Sequence, residues 1–146
     1  LDHEPLLENL NSLNYYQIYG PKSLGLEWVV ENFHETIKNY DNTIKDILRT
    51  LVEHAAIQIS KILDQYGNGQ VLLSGGGTYN DFFVKILTQH SNSKFVIPSK
   101  SIIDYKEALI FGFLGVLKLR NEINCMKSVT GASKNHSTGK IYEIFK

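Results

Sequence analysis

Apolar residues recur with a helical period along most of this chain, and the breaks between periodic stretches are short and rich in Gly, Pro, Ser or Asn. The strongest signal is Ile44, Ile47, Leu48, Leu51, Val52, Ala55, Ala56, Ile59, Ile62, Leu63 and Tyr66. These keep the i, i+3, i+4 rhythm for about six turns and predict a long amphipathic helix. Asp41 or Asn42 is placed to cap its start, and Gly67-Asn68-Gly69 to stop it. The opposite face, with Lys45, Asp46, Arg49, Glu53 and Lys61, reads as solvated, and His54 reads as a boundary residue and not a ligand. Upstream, Leu6, Leu7, Leu10 and Leu13 predict a short helix after Pro5, a residue tolerated in a first turn. Tyr15 to Ser23, containing Gly20-Pro21, reads as an extended loop, with Ser23 capping a helix through Glu27, Trp28 and Val30 to Phe33. Residues 1–40 are therefore expected to form loop and short helices, and 41–146 one further domain.

Past the long helix the period changes. Val71-Leu72-Leu73 is a short continuous apolar run, predicted as a buried strand, and it leads directly into Gly75-Gly76-Gly77. Helical rhythm returns from Tyr79 through Phe82, Phe83, Ile86 and Leu87, and Lys94-Phe95-Val96-Ile97 predicts a second strand closed by Pro98. A second long helix is expected from about Tyr105 to Arg120, with Gly112 and Gly115 inside it. Two interior glycines cost a helix roughly 2 kcal/mol against Ala. Close packing of a neighbouring backbone along Ala108, Gly112 and Gly115 is the expected compensation. The remainder is polar around Ser128 to Ser133, and the alternation Ile141-Tyr142-Glu143-Ile144-Phe145 suggests a short edge strand.

Composition narrows the function classes. With 146 residues, 42% of them hydrophobic, a chain of this size buries roughly 68–70% of its unfolded surface and needs no staples. Fifteen Lys+Arg against fifteen Asp+Glu leaves no net charge, which argues against duplex DNA or an acidic membrane, since both require a basic face. No apolar run approaches the ~20 residues of a bilayer span, and the first residues lack the basic and apolar regions of a signal peptide. One Cys forms no internal disulfide, so a reducing compartment, the cytoplasm, is expected. The first residue is Leu, which suggests that the chain begins inside a longer protein.

The chemistry-bearing feature is strand, triple glycine, helix, from Val71 to Asp81. Glycines between a strand end and a helix start let a ligand approach the backbone, and helix N–H groups favour an anion or ribose-phosphate there; the plain alternative is a tight turn. The phosphate-loop pattern is not met, because Thr78-Tyr79-Asn80 stands where Gly-Lys-Ser/Thr is required. A dinucleotide fingerprint would need glycine at Asn80 and an acidic residue near the end of the next strand, where the chain has Pro98-Ser99-Lys100. Asp104 and Glu107 fit a cap and a loose capping box at the start of the glycine-containing helix. Ser128 to Ser133 offers hydroxyls but reads as a polar loop, the five histidines are scattered, and Cys125 lies apart from any expected helix start. Tyr15, Tyr16 and Tyr19 lack the basic neighbours of a nucleic-acid platform.

Four motifs in order carry a family resemblance. They are Gly20-Pro21-Lys22-Ser23-Leu24-Gly25-Leu26-Glu27, Leu73-Ser74-Gly75-Gly76-Gly77-Thr78-Tyr79-Asn80, Asp104-Tyr105-Lys106-Glu107-Ala108-Leu109-Ile110-Phe111 and Ser128-Val129-Thr130-Gly131-Ala132. Together they resemble the anhydro-N-acetylmuramic acid kinases of the sugar kinase, Hsp70 and actin superfamily, whose motifs include Pro-Lys-Ser-Thr-Gly-Arg-Glu, Gly-Gly-Gly-x-x-Asn and Asp-x-x-Glu-Ala-x-x-Phe. The resemblance implies an α/β fold, the C-terminal part of an actin-like (ribonuclease H-like) ATPase lobe, helix-rich with a small sheet. It implies a kinase that uses ATP and water to open the ring of 1,6-anhydro-N-acetylmuramic acid and phosphorylate its 6-oxygen, in cell-wall recycling.

By that resemblance Gly75, Gly76 and Gly77 approach the adenosine and its α-phosphate, Asn80 fixes the turn and helix start, and Glu107 faces the sugar. The family's phosphate loop and general-base Asp belong to segments earlier than this sequence, so no catalytic residue and no metal ligand is assigned. ATP and Mg would be held mainly outside this chain, by the N-terminal lobe of a parent protein, and the chain alone should not turn over. A homodimer stays open. Leu24 and Leu26 replace the family's Thr and Arg, which removes any polar contact from that loop. This departure favours the second reading, a non-catalytic interaction or regulatory α/β module; a Rossmann-type domain is the third.

Overall fold

The computed structural model describes residues 4–19, 22–41, 43–67 and 69–142. The chain divides into two compact units, Leu1–Ile97 and Pro98–Lys146. In the first, α1 (Glu4–Ser12) and a 3-10 turn (Asn14–Gln17) precede α2 (Leu26–Ile37) and α3 (Ile44–Leu63). Then β1 (Gln70–Leu72), a 3-10 turn (Gly76–Tyr79), α4 (Asp81–His90) and β2 (Lys94–Val96) form one strand-helix-strand unit. The second unit holds α5 (Lys100–Leu119) and α6 (Lys127–Thr130). The α/β class and the small sheet are as expected from the sequence.

β1 and β2 pair in parallel, with Val71 opposite Phe95, and the ladder is extended by Leu73 N–H to the Val96 carbonyl at 2.9 Å. Parallel neighbours require a crossover, which α4 supplies. Val71 and Phe95 are half-buried while Leu72 and Val96 are exposed. The strand expected to be buried throughout is therefore covered on one face only. A two-stranded sheet is marginal alone and needs a helix against it. α3 and α4 provide that cover: Ala56, Ile86 and Leu87 are buried, with Val52, Leu73, Phe83 and Phe95 packed around them. Glu53 of α3 also bonds His90 of α4 at 2.5 Å and faces Arg49 at 4.0 Å, so Glu53 is half-buried while Lys45, Asp46, Arg49 and Lys61 are exposed.

Several local readings are corrected. α3 is capped by Thr43, whose hydroxyl accepts the Asp46 N–H at 3.2 Å, because Thr43 immediately precedes the first helical residue and Asp41 does not; Asn42 lies outside the described residues. α2 follows Gly25 without a side-chain cap, so Ser23 has no capping role there. The stretch from Tyr15 to Ser23 is not extended throughout, since Asn14–Gln17 form a 3-10 turn. α5 begins at Lys100 after Ser99, five residues earlier than expected, with Ile102 and Ile103 N–H groups on the Ser99 carbonyl. Asp104 is consequently interior to the helix, and the capping box with Glu107 does not exist. No atom lies within 4 Å of a Cβ built on Gly112 or Gly115, so the close approach expected there is not made among the described residues. Ile141 and Tyr142 carry no strand, and 143–146 lie outside the described residues.

The largest departure concerns His54. It is 2% exposed, on the buried face of α3 with Thr50, Ala56 and Ser60. Nδ1 donates to Asn11 Oδ1 at 2.8 Å, an oxygen that also accepts from Gln58 Nε2 at 2.7 Å. An acceptor at Nδ1 fixes the tautomer, so Nε2 accepts the Tyr16 hydroxyl at 2.8 Å. Edge-on rings of Tyr16 and Phe33 enclose it. Burial, with the Lys61 charge adding to it, pushes the imidazole down to about 4. Folded His54 is then neutral where an unfolded one would take a proton below about 6.5. Stability present above that value is lost progressively as pH falls towards the folded value, by at most about 3 kcal/mol. Urea titrations from pH 7 to pH 4 should show this loss, and a His54→Phe variant should flatten that part of the profile relative to the parent.

Candidate functional site

The glycine turn begins where β1 ends. Gly75 has φ +98, a region open to glycine and strained for other residues. Its carbonyl accepts the Thr78 N–H at 3.0 Å and the Thr78 hydroxyl at 2.7 Å, and Thr78 is buried. Asn80 N–H reaches the Gly77 carbonyl at 3.1 Å, which closes the turn. The Asn80 side chain then accepts the Phe83 N–H at 3.0 Å as the cap of α4. One short segment is thus held from both ends, by a buried hydroxyl and by a helix cap.

Gly76 and Gly77 differ from Gly75. Neither has positive φ, and a Cβ on either would meet nothing within 4 Å. Neither backbone geometry nor packing among the described residues demands glycine there. The space that side chains would fill lies over an exposed backbone, which is the arrangement a flat or phosphorylated ligand needs to approach main-chain atoms. The segment Leu73 to Asn80 contains no Lys, Arg or His, and Asp81 follows it. Its chemistry suits a nucleoside better than a naked triphosphate, whose charge must be neutralised elsewhere. Among the described residues, no group of three or more His, Cys, Asp or Glu is arranged to hold a metal ion.

The remaining candidates separate. Glu107 is exposed in the middle of α5, in the second unit, whereas the glycine turn belongs to the first. In the first motif Lys22 Nζ donates to the Tyr15 and Ile18 carbonyls at 2.8 and 3.1 Å and lies 4.7 Å from the Tyr15 ring centre. That lysine fastens its own loop; Gly20 and Pro21 lie outside the described residues. A Cβ on Gly25 would come within 2.8 Å of Glu27 Oε2, the tip of a flexible side chain that can turn away, so packing does not require glycine there. Leu24 and Leu26 are exposed. Tyr15 and Tyr16 pack on Trp28, with ring centres 4.8 and 6.4 Å away, which leaves Tyr19 alone of the three fully exposed.

Ser128 to Ala132 is not a plain loop. Lys127–Thr130 form α6, Gly131 ends it in the left-handed region, and the Thr130 hydroxyl donates to the Met126 carbonyl at 2.9 Å. Cys125 therefore stands just ahead of a helix, paired through its backbone with His136, and its Sγ contacts Thr130 Oγ1 at 3.6 Å. Two residues escaped the sequence reading altogether. Thr78 could have been found as a hydroxyl three residues after the glycine that needs it. Asn124, whose side chain bonds the Leu114 carbonyl and both backbone groups of Thr138, has no local signal.

A parallel strand-helix-strand unit with a glycine turn at the strand end defines an α/β protein. The family model for anhydro-N-acetylmuramic acid kinase matches residues 3–144, and the chain belongs to that family. Among its relatives are proteins of that name from Vibrio parahaemolyticus serotype O3:K6, 31% identical over 96% of this chain, and from Sulfurovum sp. strain NBC37-1, 33% identical over 94%. A third, from Saccharophagus degradans, is 28% identical over 96%. The chain spans 40%, 39% and 40% of the length of these relatives respectively. No helix among the described residues is long and apolar enough to cross a membrane.

The turn's own energetics can be checked without any ligand. Gly75→Ala forces a side chain into positive φ and should cost about 1–2 kcal/mol, and Asn80→Ala removes the α4 cap for about 1 kcal/mol. Gly76→Ala should stay within about 0.5 kcal/mol of the parent. Urea midpoints of the three variants test this order.

Proposed function

We propose that this chain is the nucleotide-facing, C-terminal part of an ATP-dependent kinase acting on 1,6-anhydro-N-acetylmuramic acid, giving N-acetylmuramic acid 6-phosphate in cell-wall recycling. The observation that carries the reading is the pair Gly76 and Gly77, open glycines that nothing described in the chain's own packing requires, in a chain belonging to this kinase family. On this reading the fold is part of an actin-like lobe, and a reaction that consumes ATP belongs in the cytoplasm.

ATP supplies the phosphoryl group. What the chain's residues do is bind and position. Gly75 to Gly77 let an adenosine and its α-phosphate lie against main-chain atoms, and Thr78 and Asn80 keep that backbone from moving as the ligand arrives. Preorganisation of this kind lowers the ordering cost of binding. Glu107 is assigned to the sugar, where its carboxylate accepts a hydrogen bond from a ring substituent or from the attacking water. Charge neutralisation and the general base are assigned to the portion of the relatives that this chain does not span, with Mg held there, so the chain alone binds without turnover. The non-catalytic module is favoured by one observation, the exposed apolar Leu24 and Leu26 at positions where the family carries Thr and Arg.

Amide resonances of residues 75–80 should shift on addition of ATP at roughly millimolar concentration. Gly76→Asp, which places a side chain and a negative charge in the open space, should weaken that response by at least about tenfold. Equal response in both proteins removes the nucleotide role. Formation of ADP and the sugar 6-phosphate from ATP and anhydrosugar by the chain alone removes the division of labour.

A further inference from the structure

The second unit has almost no core of its own. Of the buried apolar residues among those described, Leu6, Leu10, Ala56, Ile86 and Leu87 belong to the first unit and only Ile103 to the second. Yet α5 contains the ten-residue uncharged run Ala108–Leu117, bounded by Glu107 and Lys118. Ten consecutive residues cover every side of a helix, and a helix that is apolar all round is an interior helix. Leu109, Phe111, Phe113, Val116 and Leu119 are between 51% and 71% exposed. An apolar surface of this extent on one element marks an interaction site.

One side of this surface is already shaped. Asn124 donates to the Leu114 carbonyl at 3.3 Å and to the Thr138 carbonyl at 3.2 Å, and accepts the Thr138 N–H at 2.8 Å, which ties Thr138 to the helix. Between them runs a groove of about 620 Å³ lined by Phe111, Gly112, Gly115, Leu119 and Ile141, with Lys118 and Lys140 also lining it. The glycines leave it open.

We infer that α5 and this groove seat apolar polypeptide from the portion of the relatives that this chain does not span. Relatives that match 94–96% of this chain are about two and a half times as long, the chain being 39–40% of each, so polypeptide sufficient to enclose a helix on both sides exists in them. The occupant is apolar because the run it meets carries no charge. It is intramolecular in those relatives and not a second copy of this unit, whose own apolar surface is mostly α5 itself. The inference rests on the kinase reading only for the identity of the occupant.

Hydrogen exchange followed by mass spectrometry tests it in two arms, this chain alone at roughly 1 and 100 µM and the intact Sulfurovum relative over the same dilution. In the chain alone, amides of α5 should exchange at least about tenfold faster than those of α3 and α4, at both concentrations. In the intact relative, the helix matched to α5 should be protected at both. Protection of α5 in the dilute chain alone means the chain covers it itself and overturns the proposal. Protection that appears only in the concentrated chain, and is lost in Phe113→Asp, identifies a second copy and overturns it too. So does an unprotected helix in the intact relative. ATP-dependent protection of residues 74–80 in the same samples reports on the nucleotide reading separately, so either reading can fail while the other stands.

Discussion

The seam between α3 and α4 is what the rest of the first unit depends on. A parallel pair of three-residue strands has too few hydrogen bonds and too little area to persist in water, so its geometry is inherited from the helices that cover one face. Ala56 allows α4 to come close to α3, and Ile86 and Leu87 fill the space beneath, against Val52, Phe83 and Phe95. Each buried Ile or Leu contributes about 1.5–3 kcal/mol relative to exposure. The glycine turn lies between β1, at the edge of this seam, and α4, part of it. Its position is therefore as fixed as the packing of Leu87 and Phe83, although the turn itself buries little beyond Thr78.

α1 is attached to the same helix by a different kind of contact. Leu6 and Leu10 are fully buried, but the tie that specifies register is polar: Asn11, His54, Tyr16 and Gln58 satisfy one another within a small enclosed network. Such a network discriminates between alternatives, since an imidazole displaced by one turn loses both partners at once and a buried unpaired polar group costs about 1–3 kcal/mol. The burial that depresses His54 also raises the Tyr16 hydroxyl, with Tyr15 adding to it, so both groups remain in the neutral forms the hydrogen bonds require. The aromatic residues around them, Tyr15, Trp28 and Phe33, belong to the same structural anchor, and the first family motif is fastened to it through Lys22.

What was legible in the sequence follows from what each signal measures. Hydrophobic patterning reports local geometry, and it placed α1, α3, α4 and both strands within a few residues because the helices repeat an apolar stripe and the strands are short continuous apolar runs bounded by turn residues. It does not report which side of a helix finds a neighbour. α3 buries Thr50, His54 and Ser60 while Ile44, Leu48 and Ile62 are exposed, so the buried side is not the predicted apolar stripe alone. Hydroxyls and an imidazole can be buried wherever partners lie across the interface, and those partners, Asn11 and Tyr16, are some forty residues distant in sequence. Helix starts were misplaced for a related reason. Thr43 outcompetes Asp41 by adjacency to Ile44, and α5 begins after Pro98-Ser99, ahead of the point where its apolar run becomes dense. The glycine turn was legible because strand, glycines and cap are contiguous; Glu107 and that turn are carried by different units, a separation that motif order along the chain does not convey.

Glycine carries a different meaning at each place it appears, and the distinctions decide how the molecule can be read. At Gly75 the main chain itself requires it, because φ is positive. At Gly25 the nearest atom to an added Cβ is the movable tip of Glu27, a weak demand. At Gly76, Gly77, Gly112 and Gly115 neither reason holds among the described residues, and an interior helical glycine still costs about 1 kcal/mol against Ala. On the readings proposed above, glycine at these positions leaves room for something the fold meets from outside. For the turn the proposed partner is a ligand small enough to lie against main-chain atoms; for α5, where the open glycines sit among exposed Phe and Leu side chains, it is the proposed apolar polypeptide. The same absence of a side chain thus separates two kinds of contact, and the surrounding residues tell them apart.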